Sequence, residues 1–127
     1  MSVTYPLFVF EKDDKSIRLI DKETQILHHC EAIDIENDEY VFWDVNGAGV
    51  SVAVTSTTTF KTGKLKSVSS SAPAFPLRDA FKSYAESLGL SQAIADGEPI
   101  DAWRRIRAEL ERRPRKKGIL SRLFSRD

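Results

Sequence analysis

At 127 residues, with 41% hydrophobic and 30% charged positions, the chain has the composition of one globular domain with a modest core. Nineteen Lys/Arg balance nineteen Asp/Glu, but the signs are separated: residues 1–60 hold eleven acids and four bases, residues 61–102 five of each, and residues 103–127 ten bases and three acids. A single cysteine, Cys30, excludes an internal disulfide framework and fits a reducing compartment. The N-terminal MSVTYPLFVFEKDD lacks the basic start of a secretory signal, and no apolar run approaches the roughly 18 residues of a membrane span, so a cytoplasmic protein is expected.

In chain order, Leu7 to Phe10 is an apolar run of strand formers. Ser16 to Ile20 follows after a polar connection of hairpin length, so two antiparallel strands are predicted. Asp21 is placed to cap a short helix from Lys22 to about Ala32, with Ile26, Leu27 and Cys30 on one face. Tyr40 to Trp43 is aromatic and β-branched, Asn46-Gly47 is a turn dipeptide, and Gly49 is a second permissive backbone position. Val50, Val52 and Val54 alternate with Ser51, Ala53 and Thr55, which puts the three valines on one face of a sheet. A fifth strand is expected in 58–61 or 64–68.

Residues 69–76, SSSAPAFP, have the composition of a linker. Leu77, Phe81, Tyr84, Ala85 and Leu88 then recur at helical spacing, with Pro76 suited to the first helical position and Gly89 to the position after the C-cap. Ser91 to Ala95 adds a turn. Pro99 opens a second helix with Ile100, Trp103, Ile106 and Leu110 on its apolar face, and Pro114 ends it. The order predicts an α+β domain over residues 1–113, an antiparallel sheet of about five strands with one face packed on helices, followed by a basic amphipathic tail over 114–127.

Chemistry-bearing motifs are few. His28-His29-Cys30 is the one cluster of metal-type ligands, but neighbours on a helix point about 100° apart and no second Cys or further His completes a tetrahedral set. The expectation is a core Cys30 with one histidine partly buried and the other exposed. Asp34, Glu36, Asp38 and Glu39, with Glu31 and Asp44, form a dense acidic stretch. Its D-x-E-x-D spacing fails the EF-hand pattern, since Glu39 stands where Gly is required and Val45 where Glu is required. It reads as a solvated connection before a strand, or as an acidic docking face for a basic partner. Gly47-Ala48-Gly49 is too short for a phosphate loop, and Trp43 and Trp103 fall within apolar patterns, so both are assigned to the core. No catalytic residue, cofactor or metal site is predicted.

The tail reads RRPRKKGILSRLFSRD from Arg112. On a helix Ile119, Leu120, Leu123 and Phe124 fall on one side, edged by Arg115, Lys116, Lys117 and Arg122, the design of a helix that lies in a membrane interface. Lys116 to Phe124 resembles the C-terminal membrane-targeting helix of the bacterial division ATPase MinD. The resemblance implies insertion of Ile119, Leu120, Leu123 and Phe124 and headgroup contact by Lys116, Lys117 and Arg122. It covers nine residues and carries over no catalytic role, because the phosphate loop of that family is absent. Ile26 to Val52 is similar to small uncharacterised bacterial proteins with an E-A-I-D-I-E-N-D-E-Y and F-W-D core, a resemblance that implies a shared fold and no activity.

Full burial of four large apolar side chains is worth at most about 1.5–3 kcal/mol each, and each base near an anionic surface adds about 1 kcal/mol. Ordering the backbone costs about 1–2 kcal/mol per residue, so a reversible attachment is expected. The stripe could instead dock on the protein's own sheet or remain a solvated end. The leading expectation is a non-catalytic cytoplasmic module that binds a protein partner and is held at the inner membrane face by its tail. An immunity-type inhibitor using the acidic face is an alternative. A nucleic-acid-associated protein using the basic end is less favoured, because the body is acidic and no DNA- or RNA-binding motif is present.

Overall fold

Leu7–Glu11 (β1) and Ser16–Ile20 (β2) form the predicted hairpin, and Tyr40–Trp43 (β3), Gly49–Val54 (β4) and Leu65–Ser70 (β5) complete one antiparallel sheet in the order β2-β1-β3-β4-β5. The structure, a computed structural model, describes residues 3–55 and 63–112. Short helices Ile26–His29 (α1) and Ala32–Glu36 (α2) precede β3, and Leu77–Ser87 (α3) and Pro99–Arg112 (α4) follow β5. The architecture is α+β, as the order of elements predicts.

The sheet is covered on two faces rather than one. Phe8, Phe10, Ile17, Val41 and Trp43 pack with Leu77, Phe81 and Tyr84 of α3 and Ala102 and Ile106 of α4. Leu7, Val9, Ile20, Tyr40, Phe42 and Val50 pack on the other face with Ile26, Cys30 and Ile35. Uninterrupted apolar strands are what a sheet buried on both sides requires, and Leu7 to Phe10 and Tyr40 to Trp43 are such runs. Val52 and Val54 lie on the second face with Val50 but only partly buried, where the cover of α1 and α2 thins out.

The single helix expected from Lys22 to Ala32 is instead a 3-10 turn at Glu23–Gln25, then α1, then a break, then α2. Cys30 (φ −133°, ψ 134°) and Glu31 (φ −78°, ψ 140°) are extended. The reason is the direction of the apolar side chains. On an unbroken helix Ile35, nine residues after Ile26, would point to the opposite side at about 100° per residue; the break lets both reach the sheet. Lys22, not Asp21, holds the capping position, and no side chain bonds there. The acidic stretch expected to be a plain connection is therefore partly helical. α2 ends in a Schellman turn: Asp38 N–H donates to Ile35 C=O at 3.1 Å, Glu39 N–H donates to Asp34 C=O at 2.9 Å, and Asp38 has φ 62°.

β5 takes in Ser69 and Ser70, which composition assigns to the linker, because their backbones pair with Ser51 and Val50. Residues 56–62, including the alternative strand position, lie outside the described residues. Gly49 is required less by its dihedral angles than by crowding: a Cβ there would stand 2.3 Å from the Ser71 carbonyl oxygen and 2.6 Å from the Pro73 nitrogen. α3 ends on Gly89, at φ 74°, as predicted. Pro76 is its N-cap rather than its first residue.

α4 begins next to the β3–β4 turn, where Pro99 lies beside Gly47. It runs towards the opposite end of the sheet. By Arg107 it has reached Tyr84, whose hydroxyl also feels Asp14 of the β1–β2 turn.

Candidate functional site

The acidic residues singled out in the sequence are joined by others from a remote segment. β1 and β3 pair in a register that sets Glu11 opposite Tyr40, and the ladder extends through a bond from Lys12 N–H to Glu39 C=O at 3.0 Å. This brings Glu11 at the end of β1 and Asp13 and Asp14 of the β1–β2 turn alongside Asp34 of α2 and Asp38 and Glu39 of the α2–β3 connection. Glu36 and Asp38 are exposed, and Asp34 and Glu39 half-buried. Lys12 Nζ lies 3.4 Å from Asp38 Oδ2, but the Asp38 side chain is 88% exposed and such a pair contributes little. Arg18 Nη2 sits 3.2 Å from Glu11 Oε1. Burial, then Asp14, raises the Glu11 carboxyl above its ordinary value, with Arg18 pulling the other way.

Asp44 does not belong to this surface. It stands at the other end of β3, nine-tenths buried, and its Oδ1 accepts from Asn46 N–H at 2.8 Å and Ala48 N–H at 3.0 Å, shaping the β3–β4 turn. The contribution of Glu11, Asp13 and Asp14 carries no local sequence signal. It depends on the strand register, which a run of charges does not reveal.

Cys30 is buried, His29 half-buried and His28 exposed. Burial pushes the Cys30 thiol up to about 12; Arg18 draws it down, but Glu11 and Asp34 raise it further. An activated cysteine nucleophile needs the opposite shift. Tyr40, beside it, is likewise pushed up to about 12 by burial. Among the described residues no three His, Cys, Asp or Glu side chains form a group that could hold a metal ion.

Trp43 is fully buried, stacks edge-on against Phe75 at 5.5 Å and donates through Nε1 to the Phe75 carbonyl at 3.1 Å. Trp103 is half-buried, edge-on to Phe8, with the Arg107 guanidinium 5.5 Å from its ring centre. Both serve the core, as the apolar pattern indicates. The exposed side of α4 carries Arg104, Arg105, Arg107 and Arg112. The predicted membrane-contact residues Arg115, Lys116, Lys117, Ile119, Leu120, Arg122, Leu123 and Phe124 lie outside the described residues. Among the described residues no helix is long and apolar enough to cross a membrane. Compared with family models, with curated proteins and with solved structures, the chain matches none.

Proposed function

We propose that the chain is a non-catalytic interaction module that binds a protein partner through its body and attaches reversibly to an anionic membrane surface through its basic C-terminal tail. The observation that carries this reading is the separation of charge along the chain. Carboxylates from the β1–β2 turn and the α2–β3 connection gather on one surface. α4 is mixed, with Arg104, Arg105, Arg107 and Arg112 against Asp101, Glu109 and Glu111, and the excess of bases is that of the sequence beyond it, residues 113–127. A shielded thiol with a raised pKa in the one Cys–His cluster adds support. The acidic surface also supports a second reading, an inhibitor that seats these carboxylates in the basic site of a toxin.

Insertion into lipid needs both apolar stripe and positive charge, whereas attraction to a phosphate backbone needs chiefly charge. The full chain should sediment with vesicles containing anionic lipid and progressively less as zwitterionic lipid replaces it. Deleting residues 115–127 should abolish sedimentation, and Leu123→Asp with Phe124→Asp should nearly do so. Intact protein that ignores vesicles but binds duplex DNA with a steep salt dependence sinks the membrane reading in favour of nucleic acid.

A further inference from the structure

Among the described residues, β3 and β4 pair at Phe42↔Val50 and Trp43↔Gly49 and no further. The same register would set Tyr40 opposite Val52, but the ladder stops short of them. Neighbouring bonds fix the direction of their backbone groups. Asp44 N–H donates to Ala48 C=O at 2.8 Å across the β3–β4 turn. Bonding groups alternate sides along an antiparallel strand, so Phe42 and then Tyr40 also aim theirs at β4. Ser71 N–H donates to Gly49 C=O at 3.0 Å, so Gly49 and Ser51 turn towards β5, and Val50 and Val52 towards β3. Tyr40 and Val52 therefore present N–H and C=O groups to the gap from both sides.

A cavity of about 290 Å³ occupies this gap. Ile35 of α2 lines it, as do Ser51, Ser71 and Pro73, and Lys12 and Asp38 border it as an ion pair. The cavity opens to solvent at Ser51, Ser71 and Pro73, so water can bond these groups and an incoming segment replaces it. The group that matches two facing strand edges is another peptide backbone. We propose that the cleft between β3 and β4 takes up a short extended segment of a partner protein, which hydrogen-bonds along Tyr40 and Val52 as an added strand does. The cavity is at the lower end of ligand sites, which run about 300–1,000 Å³, so the segment is a few residues with small side chains. The inference rests on the interaction-module reading and names the partner surface for it. It does not depend on the tail.

Two measurements on the full chain test it. In the free protein, the Tyr40 and Val52 amides should exchange with solvent at least tenfold faster than those of Phe42 and Val50. Equal protection would mean that the strands pair in solution and that no cleft exists, which overturns the proposal. Next, a displayed library of seven-residue peptides is panned against the protein. Selected peptides should slow exchange at Tyr40 and Val52 at least tenfold. They should lose at least tenfold affinity on Ser51→Trp, which fills the cleft, and keep it on Thr24→Trp, an exposed position that does not line the cavity. Binders indifferent to Ser51→Trp overturn the cleft. If their footprint is Asp13 and Asp14, on the acidic surface away from the cavity lining, the interaction-module reading stands without it. Failure of vesicle attachment with these results intact removes only the membrane half of the function.

Discussion

Arg18 donates through Nη1 to the carbonyl of His29 at 2.6 Å while its Nη2 reaches Glu11. The last carbonyls of a helix have no partner within it. Here an arginine from β2 supplies one, tying the end of α1 to the sheet and steadying a carboxylate of the acidic surface. A planar guanidinium can face both groups at once, which a lysine ammonium cannot do.

Arg18→Ala should therefore destabilise the protein. Hydrogen bonds from a charged donor are worth about 1.5–3 kcal/mol, and the partial exposure of Arg18 places the loss near the lower end. Arg18→Lys should recover less than half of it. Urea denaturation measures both, and full recovery by lysine would show that charge rather than the fork matters.

Asp38 occupies a left-handed backbone position, at φ 62°, in a turn where glycine is usual. Asp38→Gly should raise stability by about 0.5–1 kcal/mol, even though it removes an ion pair with Lys12. A thermal melt showing a lower Tm would mean that the side chain contributes more than its exposure suggests.

Two glycines should respond differently to alanine. At Gly89 the added Cβ meets nothing within 4 Å, so Gly89→Ala should cost only the left-handed strain of about 1–2 kcal/mol. At Gly49 the Cβ meets backbone of the chain leading to α3, which cannot swing aside as a side chain would. Gly49→Ala should cost about 3 kcal/mol or more. Parallel denaturant curves decide the order.

The Cys30 thiol should resist alkylation by iodoacetamide in native protein at pH 8, because it is buried and its pKa is pushed up to about 12. Labelling should become fast in concentrated urea. Rapid native labelling would show that the break between α1 and α2 opens readily.

Glu11 should weaken the fold as it ionises. Its folded-state pKa lies above the ordinary 4.5, so the folded protein holds the proton more tightly than the unfolded chain. That contribution is fully present below pH 4.5 and is lost as pH rises through the raised value. Glu11→Gln keeps an acceptor for Arg18 and removes the charge. It should flatten the stability profile above pH 4.5, with its gain over the parent chain growing as pH rises. A gain confined to lower pH would reverse the sign of this argument.

The strands, α3 and α4 are legible in the sequence because each has a period or a bounding signal of its own: Leu7 to Phe10, the alternating valines, Gly89, Pro99. The region from Lys22 to Asp38 is not. There Ile26, Cys30 and Ile35 must all reach the sheet, and only a broken backbone allows it, so the demand comes from tertiary packing. The membership of Ser69 and Ser70 in β5 is equally hidden, since it rests on partners some eighteen to twenty residues away. The acidic surface was half legible. Asp34, Glu36, Asp38 and Glu39 show as a run of charge, whereas Glu11, Asp13 and Asp14 join it only through the β1–β3 register.

The course of α4 sets a length scale for the proposed attachment. The helix delivers the chain to the end of the sheet that bears Asp13 and Asp14, charges an anionic bilayer would repel. Between Arg112 and Arg115, the first of the bases proposed to edge the membrane stripe, lie two residues, 113 and 114, whose reach when fully extended is at most about 3.3–3.6 Å each, or roughly 7 Å. The Debye length at physiological ionic strength is about 8 Å. A bilayer gripping Arg115 is thus held within about one screening length of the end of α4, and the carboxylates at that end of the sheet oppose its attachment. Lengthening the spacer would relieve that opposition, so the stand-off is a matter of residue count as much as of residue type.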